Sequence, residues 1–180
     1  MRKLFLSLVL VLSANTFYAQ SSLLDKFEDQ EGITSVIVNK KMFTLLSKMQ
    51  VKDKQEQQYV NLIKKLENLR VFVTQSDKKS DEMKLVSDKY IKSSALEELM
   101  KINDKGKSVK IYVKSGATES QIKELMMFIE GSGKEETVLM SLLGDFDLNE
   151  LSVLTDKMNL PGGDDLKRAS KGSKGSKAPK

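Results

Sequence analysis

Apolar positions along the chain switch between two spacings, and the switches mark out its elements. Leu23, Leu24 and Phe27 fit a short helix capped by Ser22 and stopped by Gly32. Thr34-Ser35-Val36-Ile37-Val38 is a β-branched run that predicts a strand. Met42, Phe43, Leu45, Leu46 and Met49 return to helical spacing. Tyr59, Leu62, Ile63 and Leu66 then fall on one face of a second helix. Leu69, Val71 and Val73 alternate with polar residues and predict the second strand. A helical stretch starts at Ser80 or Asp81, carries Val86, Tyr90, Ala95, Leu96, Leu99 and Met100, and ends in the turn residues Asn103 to Gly106.

The second half reads as sheet. Val109-Lys110-Ile111-Tyr112-Val113 alternates as a third strand. Ile122–Ile129 and Thr137–Leu143 are apolar on both faces. Gly131-Ser132-Gly133-Lys134 joins them as a hairpin, which places this pair centrally in the sheet. Asp147 to Glu150 opens a last helix with Leu148, Leu151 and Leu154 facing inward. The order α-β-α-α-β-α-β-β-β-α predicts an α+β domain: a mixed, largely antiparallel sheet of about five strands with helices packed on it.

The two ends stand apart. Arg2 and Lys3 precede an aliphatic block from Leu4 to Leu12, followed by a more polar stretch ending at Ala19. This is the pattern of a signal peptide spanning 1–19, and the block is too short for a membrane span, which needs about 20 residues. Leu160-Pro161-Gly162-Gly163 is a breaker cluster, and beyond it Lys, Gly and Ser repeat. Residues 20–160 are therefore expected to form a single domain and 161–180 a disordered basic tail. The expected destination is export, periplasmic or secreted, as a soluble chain. The absence of cysteine excludes a lipid-bearing lipoprotein.

Charge and composition narrow the chemistry. The net charge is +5, but residues 21–160 hold 22 basic and 23 acidic groups, so the basicity belongs to the ends. That predicts no nucleic-acid face. The tail is suited to touch anionic surfaces such as lipid headgroups or cell-wall polymers, and its simpler role is to solubilise. With no His and no Cys, a Ser-His-Asp triad, a thiol nucleophile and a His/Cys zinc site are all excluded. No catalytic residue, cofactor-binding residue or cofactor is predicted, and the balance is against an enzyme.

Asp145, Asp147 and Asn149 are the candidate cation ligands, with Asp156 at the twelfth position of a calcium-type loop. Glu150 stands where that loop needs Gly, and the same residues read more simply as a helix start capped by Asp147. Gly131 to Lys134 lacks the earlier glycine and the following Ser or Thr of a phosphate loop, with Phe128 and Glu135 in those places. Ser76–Lys79 and Ser120–Lys123 match S-x-x-K without a K-T-G partner. The acid pairs Asp81/Glu82, Glu97/Glu98 and Glu135/Glu136 read as solvated faces. Met42, Met49, Met100, Met126, Met127 and Met140 are expected to fill the core, the alternative being an exposed, adaptable binding face.

Four segments carry a resemblance: Phe27–Val38, Leu96-Glu97-Glu98-Leu99-Met100, Val109–Val113 and Leu142–Leu148. Over about residues 24–158 the chain resembles bacterial family of unknown function number 4252, exported proteins of the Bacteroidetes group. The resemblance implies export and a compact α+β domain, and brings no reaction and no ligand. Some relatives look like lipoproteins, a pattern this cysteine-free chain departs from. The expected function is a non-enzymatic exported binding or accessory module of the cell envelope. It would act on an unidentified protein or envelope component through a sheet face or edge that helices leave uncovered. The alternatives are a carboxylate-based hydrolase or metal-dependent enzyme, and an envelope-stress regulatory component.

Overall fold

The computed structural model describes residues 23–104, 106–118, 120–131, 135–158 and 160–172. The expected leader, the last eight residues and Ser132 to Lys134 of the hairpin turn lie outside them.

A helical turn at residues 23–25 precedes β1 (Thr34–Asn39). Helices α1 (Lys40–Leu46) and α2 (Lys54–Lys65) lead to β2 (Leu66–Thr74), and α3 (Asp77–Ser94) leads to β3 (Glu97–Asp104). Strands β4 (Lys107–Ser115), β5 (Gln121–Glu130) and β6 (Thr137–Asp147) follow. A 3-10 turn (Leu148–Glu150), α4 (Leu151–Met158) and α5 (Gly163–Gly172) complete the fold. The six strands form one sheet in the order β1-β2-β6-β5-β4-β3, with β5 and β6 at its centre as their two-sided apolar runs require.

The α+β class holds, and every neighbouring pair is antiparallel. The helical connections explain why the sheet is not mixed. Between β1 and β2 the chain makes two helices, out and back, so it re-enters the sheet at the end it left. Between β2 and β3 it makes one helix, so those strands run the same way, but β6, β5 and β4 lie between them.

Side-chain alternation divides the interior in two. One face of the sheet carries Leu69, Val71, Ile111, Leu125, Met127, Met140 and Leu142, covered by α1, α2, α4 and α5 through residues such as Phe43, Leu62, Leu154 and Leu166. The other carries Phe72, Met126, Phe128 and Leu139, covered by Met83, Val86 and Tyr90 of α3 and by Leu24 and Phe27. Phe27 meets Phe72 edge to face, ring centres 5.6 Å apart and planes at 61°.

Three expectations are corrected. The stretch Glu97–Asp104 is strand, not helix. The helix before it ends because Ala95 takes a left-handed conformation (φ 52) as its C-cap. The predicted turn at Asn103 to Gly106 is the β3–β4 hairpin, with Gly106 at φ 89. The chain also does not leave the fold at residue 160. Gly162 (φ 74) turns it into α5, whose Leu166 and Ala169 are buried against α4. Finally, Met126, Met127 and Met140 are core, but Met42 and Met49 are 48 % and 44 % exposed.

Candidate functional site

The residues singled out for a cation are brought close together and are already engaged. Asp145 accepts from Lys123 Nζ at 2.6 Å and from the Gln121 side-chain amide. The lysine holds its carboxyl below the usual value. Asp147 caps the 3-10 turn, accepting from the Asn149 backbone amide at 2.8 Å. Glu150 reciprocates by accepting from the Asp147 backbone N–H at 3.1 Å, which completes a capping box. Burial pushes the Asp147 carboxyl up, but the Asn149 amides and the Ser120 hydroxyl outweigh it and leave the group below its ordinary value. The Asn149 side chain is spent on Asp147 as well, at 2.7 Å. Asp145 and Asp147 edge an open cleft of 530 Å³ beside Lys65 and Ser120. Its acids face lysines and amides, so the arrangement is the helix start that the sequence favours. No group of three or more acidic residues among the described ones is placed to hold a metal. The side chain of Asp156 lies outside the described residues.

The lysines of the S-x-x-K pairs are equally committed. Ser76 is the N-cap position of α3, and Lys79 pairs with Glu82 at 3.6 Å. Lys123 belongs to Asp145.

Sequence reasoning missed a buried carboxylate. Glu124 sits on the α3 side of β5, two residues before Met126, with only 5 % of its surface exposed. Across the sheet it lies level with Leu143 and Lys114, and Tyr90 of α3 closes over it with a hydroxyl hydrogen bond. Burial pushes the Glu124 carboxyl above its ordinary value, against the pull of Tyr90 and Lys114. Burial, then the Glu124 charge, pushes the Tyr90 hydroxyl up. Nearby on this face, Arg70 pairs with Asp25 at 2.7 Å and with Glu28 at 3.6 Å, and Ser141 is buried opposite it. The signal that could have found this row is a lone acid at an inward position of an apolar strand. Covered by α3, the row is placed to set stability and not to meet a substrate.

The two edges of the sheet differ sharply. β3 carries Glu97, Glu98 and Lys101 and is bulged between Glu98 and Met100, the devices that keep an edge from pairing. β1 has no charged residue, no proline and no bulge against β2. Its residues Val36 and Ile37 are exposed, and so are Met42 and Leu45 of α1 and Met49 and Val51 after it, each by 39–55 %. Val36 and α1 share one side of the sheet, because Val36 pairs with Val71 and Phe43 packs among that strand's core residues. Met42 and Leu45 stand exposed on this side with Val36, whereas Ile37, paired with Arg70, points to the α3 side, so the edge offers apolar side chains on both faces.

The family described as Domain of unknown function (DUF4252) matches residues 27–154, from Phe27 to Leu154. The chain belongs to this family. The match takes in all six strands of the DUF4252 chain, both edges and the buried Glu124 row, and ends before α5. No curated protein and no solved structure matches it. Among the described residues no helix is long and apolar enough to cross a membrane.

Proposed function

We propose that this DUF4252 chain is an exported, non-enzymatic binding module of the cell envelope that works through the β1 edge and the flanking surface of α1. The observation that carries this reading is the contrast between the two sheet edges. A free strand edge with apolar side chains on both faces recruits a further strand: backbone groups supply affinity and the side chains supply specificity. Exposed methionines adapt to a partner's shape, which suits Met42 and Met49 to such a surface. Export is supported by the basic pair and aliphatic block at residues 2–12.

The hydrolase or metal-enzyme alternative needs carboxylates converging on one cleft. The two buried acids among the described residues, Glu124 and Asp165, lie on opposite sides of the sheet, and Asp165 is held by Lys107 at 2.9 Å. A role in envelope-stress sensing would use the same β1 surface and adds no residue to it.

A photo-crosslinking residue at position 37, expressed in the native envelope, tests the reading. Adducts at position 37 and not at position 85, the exposed Leu85 of α3, are expected. Adducts at neither position contradict it.

A further inference from the structure

We infer that the strand received by β1 is β1 of a second copy, joining two sheets into one of twelve strands about a two-fold axis. This rests on the reading of β1 as the binding edge and names its partner. The argument starts with the ends of the strand. Asp29 and Glu31 lie exposed before it and Lys41 after it, while Lys40 turns its ammonium to the Lys64 and Leu66 carbonyls at 3.0 Å. The edge is therefore charge-polarised, acidic at its start and basic at its end. Antiparallel self-pairing sets each acidic end against the basic end of the other copy.

The register follows from sheet geometry. In an antiparallel pair, directly opposed residues share a face and a hydrogen-bonding state. A two-fold axis must then pass through a residue, and the middle of β1 offers Val36 or Ile37. With the axis at Val36, Thr34 opposes Val38 of the second copy and Ser35 opposes Ile37. Beyond the strand ends, the turn carrying Asp29 and Glu31 of one copy lies toward the end where Lys41 opens α1 of the other, twice by symmetry. With the axis at Ile37, Ser35 opposes Asn39 and Val36 opposes Val38, and Val36 no longer meets its own copy. The Val36 register also sets Val36 against Val36 on the side where Met42 and Leu45 stand exposed.

The contact is large enough. It forms about four to six backbone hydrogen bonds along an edge that no other described strand pairs with. Two such apolar surfaces with their flanking residues bury about 1,000 Å² in total, the lower bound for a specific interface.

The chain has no cysteine, so one introduced thiol reports the register cleanly. Opposed Cα atoms in an antiparallel pair are about 4.5–5.5 Å apart, inside the disulfide range. Val36→Cys is expected to form a disulfide-linked dimer at least tenfold faster than Leu85→Cys under mild oxidation. Charge swaps provide the second arm. Glu31→Lys and Lys41→Glu should each weaken dimerisation severalfold, because each reverses one charge in both symmetric pairings of an acidic end with a basic end. An equimolar mixture of the two variants should dimerise as well as the parent chain, since both contacts are then attractive. A parent chain that stays monomeric at about 100 µM, or a mixture no tighter than either variant alone, overturns the inference. Position-37 adducts in the envelope with a mass other than twice the chain would overturn self-pairing and leave the binding edge standing. Adducts at neither position 37 nor 85 would remove both.

Discussion

Glu124→Gln is expected to stabilise the chain at neutral pH and to do nothing in acid. Glutamine keeps the shape of the protonated carboxyl and can still accept from Tyr90, but carries no charge into the interior. Glu124 is 5 % exposed, and its Oε1 has no hydrogen-bond partner among the described residues. A buried polar atom left so costs about 1–3 kcal/mol, and more when ionised. Burial raises the folded carboxyl above the unfolded value of about 4.3. Between those two values the folded chain binds more protons than the unfolded one, so stability falls as pH rises through that window and then levels off. The variant escapes this loss. Urea unfolding at a series of pH values should show Glu124→Gln more stable by about 1–3 kcal/mol at pH 8, with the difference shrinking to nothing below pH 4. A variant less stable than the parent at pH 8 would refute the reasoning, because Lys114 and Tyr90 would then be stabilising the ionised carboxylate by more than burial opposes it.

Three further outcomes are expected. Leu166→Ala should lower unfolding free energy by about 2–5 kcal/mol, because Leu166 is fully buried; a change under about 0.5 kcal/mol in denaturant titrations would mean α5 is not part of the core. Gly144→Ala should destabilise by about 1–3 kcal/mol in the same assay, since a Cβ there would stand 2.6 Å from the Lys65 carbonyl oxygen and 2.9 Å from Leu66 Cα, both backbone. Asp147→Ala should lose about 1 kcal/mol as a missing cap, and millimolar calcium should leave the melting temperature of the parent unchanged; a calcium-dependent rise that the variant abolishes would make Asp145 and Asp147 ligands instead.

The sheet's centre was legible because Ile122–Ile129 and Thr137–Leu143 are apolar on both faces, a property only central strands need. The helix start at Asp147 was legible because a capping box is a local contract between two residues three apart. β3 was not. Leu96, Leu99 and Met100 mimic helical spacing. The stop that separates them from α3 is Ala95 in a left-handed conformation, where no glycine announces it. An edge strand also shows the core on one side only, so Met100 and Ile102 carry the whole signal. α5 was hidden for a related reason: Leu166 and Ala169 are its buried apolar residues in a segment rich in Lys, Gly and Asp. That Met42 faces water depended on which side of α1 meets the sheet, and hydrophobic spacing shared with Phe43 and Leu46 does not reveal it; Met49 continues that spacing past the end of α1 at Leu46. Glu124 escaped notice because its burial is imposed by Tyr90, 34 positions earlier in the chain.

Sedimentation velocity of the parent chain and of Ile37→Lys, from about 1 to 100 µM, tests self-pairing through β1 most directly. Ile37 is 40 % exposed, so lysine there should leave folding intact while placing a charge on the edge. The account predicts a parent that moves from monomer to dimer over this range and a variant that stays monomeric with the same melting temperature. A variant that dimerises as the parent does, or a parent that never associates, would contradict it.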